Sequence, residues 1–238
     1  MNFKIRPTIL PWFSLAAGVT GLGLQIWLYS LADTSGLLPA NHISSTLLCI
    51  LTALVLGVLF LCGRSVSADG SYTDTFSASR LGGIGNLIAA IGIALFCIRS
   101  LSEGTGTLSR VTMLAGLAAC VCFVLQAVSR FSGRRVNFYL CCIYLVYFLL
   151  QTVSQCRIWG SQPQVATYGF QLMASVFLML TAYHRCALSI DRGNYRWFLF
   201  ISQAALFFCC LCLNTENSIL YLSMALWLST DFCKFREI

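Results

Sequence analysis

Long apolar runs separated by short polar segments dominate this chain. Leu47–Cys62 and Val165–Ala182 are nearly uninterrupted. Strands of a membrane barrel would alternate apolar and polar with period two, and these runs do not. A membrane-spanning helix takes about 20 mainly apolar residues. On that measure the pattern predicts eight helices, at 9–31, 43–62, 81–98, 111–129, 137–156, 165–183, 197–213 and 217–232. The breaks have the residue types expected of them. Pro39 and Asn41 precede the second helix, and Gly63 to Arg80 reads as a polar loop. Gly104 and Gly106 split helices three and four, Gly160 and Pro163 split five and six, and Asn214–Asn217 turns into the eighth. The eighth is short, with Asp231 near its end, so full spanning and partial insertion both stay open. No internal repeat is legible.

Composition turns this pattern into a fold class. Apolar residues make up 58% and charged residues 10%, and the mean hydropathy is +0.80. A water-soluble domain carries about 25% charged residues. In lipid every backbone polar group must be paired within the protein, which leaves helices once a barrel is excluded. The expectation is all-α: a polytopic transmembrane bundle forming one domain over 1–238. Lys4 and Arg6 before an apolar stretch could begin a signal peptide. The stretch continues to Leu31 without a small-x-small cleavage site, so it reads as the first membrane helix.

Charge placement orients the bundle. With a cytoplasmic N-terminus, the inner segments hold Lys4, Arg6, Arg64, Arg80, Arg130, Arg134, Arg135, Arg185, Arg192, Arg196, Lys234 and Arg236. The outer segments hold Arg99, Arg110 and Arg157. Such a bias follows the positive-inside rule and predicts that both termini are cytoplasmic. Trp12, Tyr139, Tyr183, Tyr195 and Trp197 fall at inner ends, and Trp27, Tyr29, Trp159 and Tyr168 at outer ends, as aromatic belts do. The net charge of +7 is dispersed, with no basic patch interleaved with aromatics, which speaks against a nucleic-acid partner.

Helix five carries the most specific polar signal. At 100° per residue Asn137, Tyr144, Tyr147, Gln151 and Gln155 share an arc of about 80°. A polar stripe along a membrane helix should turn away from lipid. It could line a solute pathway, or serve as interhelical hydrogen-bond glue. Gln126, Gln171 and Gln203 would join a neutral pocket if they converged on it. Ser14, Gly18, Gly21 and Gln25 line one side of helix one, and Gly82, Gly85, Ala89 and Gly92 beside Asn86 line helix three. Both faces read as packing seams of small residues. The candidate binding residues are therefore Tyr144, Tyr147, Gln151, Gln155, Gln171, Gln25 and Asn86.

Candidate catalytic chemistry is sparse. No Asp, Glu, Lys or Arg falls at the middle of a predicted helix, which argues against a proton- or voltage-driven mechanism and against a carboxylate acid/base pair. His42, near Asp33, and His184, beside Arg185, belong to opposite membrane faces and cannot share a metal. Thirteen cysteines lie mostly in apolar runs, where they act as small hydrophobes. Cys209 and Cys212 form a Cys-x-x-Cys motif around Cys210, but an apolar setting suppresses thiol reactivity. No catalytic residue, metal or cofactor is assigned. The basic loop Arg185–Arg196 suits a topology determinant, and anionic headgroups would attract it.

Three stretches resemble uncharacterised multi-pass membrane proteins of clostridial bacteria: Arg6–Trp12, Gly36–Val55 and Val153–Arg185. The resemblance implies a bacterial cytoplasmic membrane and no particular activity. Three functions remain in order. The first is a carrier or binding module for a small uncharged solute, with a cavity lined by Tyr144, Gln151, Gln155 and Gln171. The second is a scaffold or accessory subunit with a membrane-protein partner or a second copy. The last is a thiol-redox enzyme of the membrane.

Overall fold

The computed structural model describes residues 9–31, 43–66, 76, 78–103, 106–159 and 165–232. Lys4, Arg6, Asp33, Pro39, Asn41, His42, Gly104, Gly160, Pro163, Lys234 and Arg236 lie outside these. Among the described residues there are eight α-helices and no strand. They are α1 (Leu10–Ser30), α2 (Ile43–Ser65), α3 (Arg80–Glu103), α4 (Thr107–Ser132), α5 (Phe138–Trp159), α6 (Val165–Ser189), α7 (Tyr195–Leu211) and α8 (Ser218–Phe232). A 3-10 turn, Cys212–Asn214, extends α7.

Six of these, α2 to α7, are long and apolar enough to cross a membrane. The chain is an all-α, multi-pass membrane protein. Local chemistry explains several boundaries. Pro11 lies in the first turn of α1, where its missing N–H costs no hydrogen bond. Gly133 ends α4 at φ 67°, and the Arg134 N–H bonds back to the Ser129 carbonyl at 3.1 Å. A left-handed residue at that position is a common helix stop. Asn194 caps α7 by accepting from the Arg196 N–H at 3.0 Å. Several expectations shift. Helix α3 runs on to Glu103, α4 starts at Thr107, and α6 continues to Ser189, which takes Arg185 out of the expected loop. Gly63 belongs to the last turn of α2 rather than to a loop, and Asn137 precedes α5 rather than lying within it.

Helices α3 to α8 form a ring. Each packs against the next, and α8 closes on α3. The α1/α2 pair packs on the outside of α7. Glycines set the close approaches. A Cβ on Gly85 would meet the Thr230 hydroxyl of α8, and one on Gly92 the side chain of Ser223. On α1, Gly18 and Gly21 lie against Cys210 and Leu211. The small-residue faces of α1 and α3 are thus the seams with α7 and α8.

Helix α8 has 15 residues, about 22 Å at 1.5 Å per residue. That is short of the ~30 Å hydrocarbon core. Leu220, Tyr221, Met224, Trp227, Leu228 and Asp231 are nevertheless buried, because α3 and α7 flank the helix on both sides. A helix shielded by protein need not match the bilayer thickness. Large apolar side chains such as Leu61, Ile91, Leu114 and Val121 stay exposed on outer faces, as lipid contact requires.

Candidate functional site

The charged residues near the ends of α4, α6 and α8 meet inside the ring. Arg130 is in the last turn of α4, Arg185 in the last turns of α6, and Asp231 one residue from the end of α8. Arg130 Nη2 donates to Asp231 Oδ1 at 3.1 Å, and Arg185 Nη1 donates to Asp231 Oδ2. The carboxylate therefore joins three helices. All three side chains are at most 3% exposed. Among the described residues these are the only buried charges.

Aromatic rings enclose the cluster. Phe76, just before α3, lies 5.2 Å from the Arg130 guanidinium carbon and 4.8 Å from that of Arg185. Trp227 of α8 lies 5.1 Å from Arg185. Guanidinium–aromatic contact suits a cation withdrawn from water. Trp227 Nε1 donates to Asn86 Oδ1 at 3.2 Å, and Asn86 Nδ2 to the Gly82 carbonyl at 2.6 Å. Gly82 in turn leaves room for Arg130, whose Nη2 a Cβ there would approach to 2.7 Å. Phe123 of α4 packs on Trp227 at 5.0 Å and on Tyr144 at 5.2 Å. Beside Tyr144, Gln126 Nε2 donates to Cys141 Sγ at 3.8 Å, and the Cys142 and Cys186 sulfurs are 3.5 Å apart as free thiols.

A second polar group ties α5, α6 and α8 nearer the opposite end of the bundle. Gln155 Nε2 donates to the Tyr221 hydroxyl at 3.4 Å, and the Ser175 hydroxyl donates to Gln155 Oε1. The Gln171 carbonyl accepts from Tyr221 at 3.4 Å and from Ser175 at 3.1 Å.

The structure therefore divides the polar residues singled out in the sequence. Gln155 and Gln171 meet in this second group, and Gln151 is buried one turn away on α5. Asn86 belongs with the charged cluster, and Tyr144 packs against the aromatic shell around it. Tyr147 is buried against Cys97 and Gly116, its hydroxyl without a hydrogen-bond partner among the described residues. Gln25 is buried on α1, outside the ring, beside Tyr29. Asn137 leaves the stripe altogether: it is exposed and accepts from the Tyr139 N–H at 3.2 Å as a helix cap. Gln203 is fully buried on α7, and its carboxamide has no partner among the described residues. Phe123 packs on Tyr144 and Phe148 on Tyr147 at 5.2 Å, and all four rings are buried.

Sequence reasoning missed the charged cluster. The middles of the helices are indeed free of charge, but Arg130 and Arg185 are more than topology signals. One clue was present: Asp231 is an acidic residue in an apolar helix at the arginine-rich end, and an ionisable residue there calls for a partner. The remaining candidates lie outside both polar groups. Cys209 and Cys212 are free and fully buried, and the His184 ring packs on Tyr183 at 5.3 Å. Among the described residues no group of three or more His, Cys, Asp or Glu could hold a metal. No protein-family model matches the chain, and neither a curated protein nor a solved structure is significantly similar to it.

Proposed function

We propose that this membrane protein is a scaffold or accessory subunit that works through its outer surfaces, rather than a carrier with a standing solute cavity. The observation that carries this reading is the tightly tied ring. Its inward side chains lock helices to one another: Asp231 joins α4, α6 and α8, and Gln155 joins α5 to α6 and α8. A solute route past Tyr144, Gln151, Gln155 and Gln171 would have to displace aromatic side chains with no solvent exposure. Such closely packed interiors resist deformation. On this reading the arginine-rich end faces the cytoplasm of a bacterial cell; the charge bias supports the orientation, and the resemblance to clostridial proteins motivates the location.

The test is mild-detergent purification of the tagged chain from its native membrane, followed by cross-linking and mass determination. A stoichiometric membrane-protein partner or a defined homo-oligomer is expected. An isolated monomer with no cross-linked neighbour would remove the proposal.

A further inference from the structure

A cleft of about 290 Å³ opens between α2 and α7 at the arginine-rich end. It lies apart from the charged cluster, and its lining has two kinds of chemistry. Phe60, Trp197 and Phe200 form a triangle of rings with centroids 5.8 to 6.2 Å apart. Arg64, in the last turn of α2, and Arg196, in the first turn of α7, stand beside it. Gly63 lies against α7, where a Cβ would make ordinary contact with the Arg196 carbonyl and Phe200 Cβ at 3.5 Å. Arg196 is held by donating from Nε to the Val66 carbonyl. Arg64 makes no ion pair among the described residues.

We propose that this cleft binds the phosphate of an anionic phospholipid headgroup. The cleft lies at the ends of two membrane helices, at headgroup depth. Half-exposed Trp197 and Phe60 present rings at the level where aromatic belts meet lipid. Two guanidinium groups supply the charge complementarity for a phosphate, and the N-terminus of α7 adds a positive dipole end. The volume suits a headgroup but not its acyl chains, which would run along the exposed apolar faces of α2.

The delipidated protein is titrated with phosphatidylglycerol or phosphatidylcholine and read by native mass spectrometry. Wild type is expected to retain phosphatidylglycerol in preference. Arg64→Gln, and separately Arg196→Gln, should each weaken that retention roughly fivefold, about the effect of one basic residue at an anionic surface. Trp197→Ala should also reduce it. Arg196→Gln removes the bond to Val66 as well, so Arg64→Gln carries the decision if that variant fails to fold. Unchanged retention in Arg64→Gln, or equal retention of phosphatidylcholine, would overturn the proposal. Displacement of the lipid by millimolar inorganic phosphate would assign the cleft to a free anion instead, and would overturn it too. Oligomeric state is not read, so this outcome is independent of the scaffold reading.

Discussion

Asp231 holds two guanidinium groups where water does not reach, its two carboxylate oxygens each accepting from one of them. Taking ions out of water costs several kcal/mol apiece, offset only while every partner is in place. Removing the carboxylate takes away the charge that both guanidinium groups share. Asp231→Asn is therefore expected to destabilise the protein by about 3–5 kcal/mol, read as a lowered melting temperature and folded yield in detergent. The pair between Arg135 and Asp191 is the control. It measures 2.8 Å, but both side chains are exposed, so Arg135→Gln should cost about 1 kcal/mol or less. Equal melting of the two variants would show that the buried cluster does not hold the helices together. The cluster was poorly legible in the sequence because its members are 46 and 101 positions apart. At helix ends, arginines also satisfy the topology rule, and that explanation hid the second one.

At the scale of elements, contact distance between helices is set by single glycines. Gly92 of α3 has no space for a side chain, because a Cβ would stand 2.1 Å from Ser223. Gly92→Ala must push α8 away or force its side chains off their rotamers, at about 1–3 kcal/mol. Gly57 of α2 meets nothing within 4 Å, so Gly57→Ala is expected to be neutral or slightly stabilising, given alanine's better helix propensity. Thermal unfolding of the two variants side by side checks the contrast, and a harmless Gly92→Ala would mean that α3 and α8 are not tightly apposed. Both seams were legible beforehand, since small residues recurring at helical spacing mark a close approach. Which helix approaches was not legible. The α1 seam meets α7 and the α3 seam meets α8, helices far away in sequence.

For the whole molecule, the described arginines separate by end. Arg64, Arg80, Arg130, Arg134, Arg135, Arg185, Arg192 and Arg196 lie at one end of the bundle, and Arg99, Arg110 and Arg157 at the other. If the first end is cytoplasmic, reporter fusions after Gly133 should behave as cytoplasmic and fusions after Gly106 as external. The reverse pattern would invert the orientation and put the α2/α7 cleft on the outer leaflet. Closure of α8 onto α3 also gives the ring a single seal. Changes that loosen α8 should release the arginine cluster and the Gln155 group together, because α8 contributes Asp231 to one and Tyr221 to the other.

The residue pattern alone determined that this chain is helical, that it crosses a membrane repeatedly, and roughly where along the chain each helix lies. Solvent enforces those features locally: hydrocarbon demands apolar runs of set length, and an unpaired backbone group is costly wherever it occurs. Only the tertiary structure decided that the short α8 is an interior helix, that Asn137 is a cap, and that the polar stripe of α5 divides between two groups. Those features depend on which faces meet, and a face carries the same residues whether lipid, water or another helix covers it.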